Sequence, residues 1–395
     1  MKYDFETLVD RKKHGALKWA KMLCDYPDAP NNIAPLSVAD MEFKNAPAIT
    51  EGLKKVLDEC LLGYTGPTDA YFEAVVGWMK RRHNFMIDKE WIVTTPGIVV
   101  AINFLLRAYT KPGEGVILLT PVYYPFFDVI AKNDLKAVTS DLINEEGQYR
   151  VNLDDLKQKT SEPNNKVLIL CSPHNPVGKV FSTEELIQIA ELCLNNDVLI
   201  IADEIHHDLI MPGHKHHVLA SLDDRYLDKT ITCTSCSKTF NLAGLKGSNI
   251  IIKNDELRNK FVDELCKASL SGRLNIFAYK AIQLAYDEAE EWLDECIQYI
   301  HENSKFLKEY IDTYLPMIKV YPLEGTYLQW IDCRSLKLSC EELEHQMIKH
   351  QLYLDEGYIF GDAGQGFERI NLACPRWVLA QSLERFRQLV EELAV

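Results

Sequence analysis

The chain has no long hydrophobic run: nowhere in its 395 residues do the roughly 18 apolar positions of a membrane span stand together. Positive charge is also scarce, with 43 Lys and Arg against 58 Asp and Glu and a formal net charge of -15. Nucleic acids and anionic membrane surfaces attract basic patches, so neither is expected as a partner. No framework of paired cysteines is visible. The 11 cysteines are scattered and odd in number, and the stretch from Met1 to Trp19 is charged throughout, without the apolar core of a secretory signal. A cytoplasmic protein with reduced thiols is the expectation. Internal repeats and low-complexity segments are absent as well. The remaining composition, 47% hydrophobic and 26% charged, is that of an ordinary globular chain whose partners are small molecules.

What is present is an alternation. Helices are predicted over 46–62 and from about Thr68 to His83, separated by the turn cluster Gly63-Tyr64-Thr-Gly-Pro67. Short apolar strands then follow at 91–95, 115–120, 137–142, 166–171, 198–203, 230–235 and 248–253, with helical stretches between several of them. That pattern predicts an α/β fold, a mostly parallel central sheet flanked by helices. Beyond about Asp287 the pattern changes to a long helix, strands near 318–321 and 327–332, a helix over 339–350, a glycine turn, a strand and a last helix. The expected organisation is an N-terminal arm, 1–45, joined to a smaller α+β domain, 287–395, with a large domain at 46–286.

Ligands of open α/β sheets sit beyond the carboxyl ends of the strands. Just past those ends stand Gly97 and Ile98, Tyr123 and Tyr124, Asn175, Asp203 and His206, and Lys238. Lys238 is bracketed by Ser235 and Ser237, and a desolvated lysine amine condenses with aldehydes. Pro96-Gly97-Ile98 opens a helix after a strand, a natural phosphate site to which Ser235, Ser237 and Lys246 add donors. Asp203 ends a strand where a buried carboxylate can keep a pyridine nitrogen protonated. Asn175 lies between two prolines and can donate to a ring oxygen, and Tyr123 or Tyr124 offers a flat cover. Together these residues answer the requirements of pyridoxal 5'-phosphate.

The set Ser172-Pro-His-Asn175-Pro-Val-Gly178, Asp203-Glu-Ile-His206 and Ser235-x-Ser237-Lys238 resembles the fold type I pyridoxal-phosphate aminotransferases, the aspartate-aminotransferase-like superfamily. More narrowly, Ser37-Val-Ala-Asp-Met-Glu-Phe43, Gly63-Tyr64-Thr-Gly-Pro67, Thr120-Pro-Val-Tyr-Tyr-Pro-Phe-Phe127 and Glu356-Gly-Tyr-Ile-Phe-Gly361 are similar to the MalY/PatB group of cystathionine β-lyases and to cystalysin-like cysteine desulfhydrases. The resemblance spans nearly the whole chain. It implies that Lys238 holds the cofactor, that Asp203 faces its ring nitrogen, that Asn175 contacts the ring hydroxyl, that Tyr123 covers the ring and that His206 lies in the cofactor site. It further implies that Tyr124 and Ala39 lie beside the substrate, that Arg369 binds its α-carboxylate, and that Tyr64 reaches the phosphate of a neighbouring subunit in a homodimer with shared active sites. Two positions depart from the wider superfamily: His206 stands where tyrosine is usual, and Lys246 where the phosphate-binding arginine is usual.

The implied reaction is α,β-elimination from a sulfur amino acid, with Lys238 taking the α-proton and Lys238 or Tyr124 protonating the leaving sulfur. An aminotransferase shares every residue up to the loss of that proton, and a non-catalytic regulatory protein that keeps the fold is the other alternative. Three further features are read as bland. His206, His207, His214, His216 and His217 show no metal-ligand spacing and suggest a solvated loop, so no metal is expected. Cys233 and Cys236 sit at the end of a strand, where a redox pair would open a helix. Gly361, Gly364 and Gly366 lack the context of a dinucleotide fingerprint and are assigned to a turn.

Overall fold

The computed structural model describes residues 1–270 and 273–393. Its main sheet has seven strands: β1 (Ile92–Thr95), β2 (Gly115–Thr120), β3 (Lys136–Asp141), β4 (Asn165–Cys171), β5 (Leu199–Asp203), β6 (Thr230–Thr234) and β7 (Ser248–Ile251). They lie in the order β1-β7-β6-β5-β4-β2-β3. From β6 to β3 every pairing is parallel, whereas β7 runs antiparallel to both β6 and β1. Helices cover both faces, so the central strands are buried throughout and read as near-continuous apolar runs such as the Val-Leu-Ile-Leu of β4.

Helix ends carry the local signals that define them. Thr68 accepts from Tyr71 N at the start of Asp69–His83, and Asn84 closes that helix in the left-handed region, φ 51°. Ser182 and Glu185 form a reciprocal capping box at the start of Thr183–Asn195. Two helices that the sequence pattern did not reveal, Asp255–Lys267 and Ile276–Glu288, complete the cover of the sheet. The long helix Glu290–Tyr314 leads to a second sheet, fully antiparallel, of β8 (Lys319–Val320), β9 (Leu328–Asp332), β10 (Asp355–Glu356) and β11 (Phe367–Asn371) in the order β8-β9-β11-β10. Between β10 and β11 the glycine segment forms two short 3-10 turns, Gly357–Phe360 and Asp362–Gly364. Among the described residues no helix is long and apolar enough to cross a membrane.

The N-terminal arm is stitched to this second sheet. Leu36 N donates to Tyr353 O, Asn371 N to Leu36 O and Glu42 N to Ala373 O, while Asn371 Nδ2 donates to the carbonyls of Val38 and Asp40 at 2.8 and 2.9 Å. Beneath the arm, Lys18 and Glu42 are both buried and form an ion pair at 2.7 Å. Arg11 grips Asp40 at 2.8 Å and Glu42 at 3.1 Å. Asp40 is thereby fixed. Burial alone raises its pKa, but Arg11, Lys18 and Lys238 together hold it below the ordinary carboxylate range.

Candidate active site

Beyond the carboxyl ends of the parallel strands lies a cavity of about 250 Å3, lined by Ala39, Gly97, Ile98, Tyr123, Asn175, Asp203, His206, Ser235, Ser237, Lys238 and Lys246, among others. Eleven residues from seven stretches of chain thus converge on one space. Lys238 stands in a single helical turn, Cys236–Thr239, that begins where β6 ends. Its Nζ donates to the carbonyl of Ala39 at 2.6 Å. Burial pulls the amine pKa down to about 8, with nearby Arg369 adding to the fall while Asp40 and Asp203 oppose it. A lysine in that state reaches its neutral, nucleophilic form near physiological pH.

Asp203 is the last residue of β5. Its carboxylate accepts from Ile205 N at 3.1 Å, and burial raises its pKa to about 7 against the lowering pull of that bond and of Lys238. Such a carboxylate gains most by meeting a cationic N–H. His206, three residues on, is buried, and its Nδ1 has no hydrogen-bond partner among the described residues; burial holds it well below the usual imidazole pKa, so the ring is neutral. Asn175 accepts from Arg369 Nη1 at 2.7 Å through Oδ1, which leaves its amide nitrogen as the donor.

At the rim, Gly97 has φ 114° and precedes helix Ile98–Tyr109. This left-handed position turns the chain so that Pro96 through Val100, and with them the amides of the first turn, border the cavity. Ser235 Oγ is committed to Gly247 O at 2.7 Å and accepts from Ser237 N at 3.1 Å. Lys246 borders the cavity from a left-handed backbone position, φ 52°. A buried lysine beside a buried carboxylate, an unpartnered imidazole atom and a helix N-terminus fit an aldehyde-bearing pyridine phosphate.

Arg369 lies just outside this lining. It sits on β11 directly across from Asp355 on β10, and the two form a 2.5 Å ion pair. Arg369 is completely enclosed, with its guanidinium 4.7 Å from the ring centre of Phe360. Tyr124, beside the lining residue Tyr123, is partly exposed, its ring 5.6 Å from Tyr123 and 6.0 Å from Phe360. Tyr64 is not brought to this site within the chain: it is fully exposed, on a stretch with exposed Leu61 and Leu62.

Two expectations are corrected. His207 and His216 do not belong to a solvated loop: both are buried, His216 paired with Glu204 at 2.9 Å. Cys236 opens the helical turn that carries Lys238 instead of ending a strand. Cys233 and Cys236 are free thiols whose pKa values burial pushes upward, which suppresses their reactivity.

The architecture and this site define a pyridoxal-phosphate fold, and the sequence pattern described as "Aminotransferase class I and II" matches residues 32–386. The chain belongs to that family. Among its relatives, cystathionine beta-lyase PatB of Bacillus subtilis is 39% identical over 97% of this chain and 99% of its own length. Cystalysin of Treponema denticola, whose crystal structure contains pyridoxal 5'-phosphate, is 48% identical with a TM-score of 0.97, covering 100% of both chains. A pyridoxal-phosphate-bound C-S lyase of Staphylococcus hominis is 31% identical with a TM-score of 0.89 over 98% of each chain.

Proposed function

We infer that the chain is a pyridoxal-phosphate-dependent carbon-sulfur β-lyase, which cleaves L-cystathionine, L-cysteine or a related S-substituted cysteine to a thiol or hydrogen sulfide, pyruvate and ammonia. The observation that carries this reading is the convergence of Lys238, Asp203 and Asn175 on one cavity, with Arg369 bonded to Asn175 at its edge. When bound, the cofactor supplies an electron sink for the substrate's α-carbon.

The chain's own residues do the rest. Lys238 would hold the cofactor through its aldehyde and, as a free amine, would take the substrate's α-proton at Nζ. Asp203 keeps the ring nitrogen protonated, the pairing that its buried carboxylate favours. Asn175 donates to the ring oxygen and Tyr123 covers the ring. The first-turn amides after Gly97, with Ser237 and Lys246, would take the phosphate, and Ser235, through its backbone N–H, would border it while its hydroxyl holds the turn to Gly247. His206 stays neutral in the cofactor site. Arg369 binds the substrate α-carboxylate through its fork of N–H donors, while the Ala39 carbonyl and Tyr124 flank the amine and the side chain. Loss of the β-sulfur with its electron pair needs one proton, from Lys238 or Tyr124, and one water then converts the enamine product to pyruvate and ammonia.

We further propose a homodimer in which Tyr64 completes the neighbouring subunit's phosphate site, supported by its full exposure beside Leu61 and Leu62. A reducing, cytoplasmic setting accords with the free thiols. The experiment is an absorption spectrum of the purified protein before and after adding L-cystathionine or L-cysteine, with pyruvate assayed in the same cuvette. The expected result is a yellow protein that borohydride bleaches, that releases pyruvate without any added keto acid, and that is colourless as Lys238→Ala. Turnover only with a keto acid present overturns the lyase reading in favour of transamination; unchanged pyruvate release by Lys238→Ala overturns the role of the lysine.

A further inference from the structure

Immediately after His206 the chain presents a second imidazole that the reaction does not use. His207 is completely buried, and its Nδ1 lies 2.6 Å from the carbonyl of Glu204. A carbonyl can only accept, so Nδ1 donates to it and Nε2 is the ring nitrogen left over for another partner. That Nε2 has no hydrogen-bond partner among the described residues. What faces it, at 3.5 Å, is Oδ1 of Asp208. The two atoms face each other with no hydrogen bond between them.

The same Oδ1 is met by His83 Nε2 at 2.7 Å from the end of helix Asp69–His83 and by Trp78 Nε1 at 2.9 Å, while Oδ2 accepts from Thr239 Oγ1 at 2.7 Å. One ligand atom each from His83, His207 and Asp208 lie within 4.8 Å of one another. They border a cavity of about 360 Å3 that His216, Arg81, Arg82, Lys215 and Glu290 also line. The charges facing it are largely paired: Arg81 and Arg82 with Glu290, Arg82 also with Asp294, and His216 with Glu204.

We propose that His83, His207 and Asp208 bind one divalent transition-metal ion of the zinc type. Two imidazole nitrogens and a carboxylate oxygen are the ligands such an ion takes, and three of them leave a fourth position for water from the cavity. The supporting groups are already set: the Glu204 carbonyl orients His207, and Thr239 orients Asp208 through its other oxygen. His83 joins by moving its proton from Nε2 to Nδ1. The ion gives the unpartnered Nε2 of His207 a bond and draws it and Asp208 Oδ1 to one centre. It also ties three segments together, namely the end of helix Asp69–His83, the turn after β5 and, through Thr239, the helical turn of Lys238.

The test uses the holoenzyme, dialysed against EDTA, freed of chelator, equilibrated with zinc chloride and washed before metal analysis and X-ray absorption at the zinc edge. One zinc per chain is expected, in a shell of nitrogen and oxygen at roughly 2.0–2.1 Å, with a thermal midpoint that rises with zinc concentration. His207→Phe and His83→Gln should each weaken zinc uptake at least ten-fold while keeping the yellow cofactor band; should His207→Phe fail to fold, His83→Gln decides. A wild-type protein that retains no zinc, a sulfur shell at about 2.3 Å arising from the cysteines, or uptake unchanged in the folded variants each overturns the site.

Discussion

At Asp203 the cost of burying a carboxylate and the catalytic use proposed for it have one origin. Its pKa is raised from 3.8 to about 7, so the folded, cofactor-free chain prefers the protonated acid. A raised acid pKa gives a stability contribution that is fully present below pH 4 and lost as pH climbs through about 7, a swing on the order of 4 kcal/mol at 1.36 kcal/mol per pH unit. Denaturant titrations of cofactor-free wild type and Asp203→Asn between pH 4 and 8 should therefore diverge, the variant lacking this decline; parallel curves exclude the assignment. Arg369 makes a different demand. Its fork is held by Asn175 and Asp355, and Arg369→Lys keeps the charge but loses the two-pronged grip. The expectation is a KM for cystathionine raised about ten-fold or more, equivalent to about 1.4 kcal/mol, with a smaller fall in kcat. Steady-state kinetics decide this. Arg369 also marks a boundary of what residue types disclose. Lys238, Asp203 and Asn175 announce themselves by following apolar strands, whereas Arg369 lies within a strand of the other sheet, and only resemblance to known families singled it out.

Among the elements, the helix that begins at Ile98 depends on what precedes it. Gly97 adopts φ 114° with no atom within 4 Å of an added Cβ, so Gly97→Ala meets backbone strain without a clash. A loss of about 1–2 kcal/mol in stability is expected, together with weaker retention of pyridoxal phosphate on dialysis as the first-turn amides shift. Unaltered cofactor retention counts against a phosphate site there. The strands were readable because β-branched runs covered on both faces leave a strong signal, as in β4 and β6. The helices Asp255–Lys267 and Ile276–Glu288 were not: the first has only Phe261 and Leu265 buried, a weak stripe. The antiparallel turn of β7 was also hidden, since strand direction is set by connections and not by composition. The buried histidine cluster escaped for a related reason, because His83 lies far along the chain from His207 and Asp208 and spacing could not join them.

For the whole molecule, the exposed stretch with Leu61, Leu62 and Tyr64 leads to a mixing experiment. If Tyr64 serves the neighbouring subunit, Tyr64→Ala and Lys238→Ala are each inactive as homodimers, yet co-refolded mixtures contain hybrids with one intact site. About a quarter of wild-type activity should return for an equal mixture, from random pairing in a two-fold dimer. No recovery, with hybrids demonstrated by sedimentation of tagged subunits, rules out the shared site.

The stitching of the arm to the last strand has a consequence for how the protein is made. The carbonyl that meets Lys238 belongs to Ala39, and its segment is held by Asn371, 333 residues from Val38. A ribosome releases the arm first and its clasp nearly last, so all seven strands of the main sheet exist before the lysine can be correctly framed. Truncated translation products ending before β11 lack this clasp. The emerging polypeptide therefore frames this lysine late, in a step that joins the arm to β11.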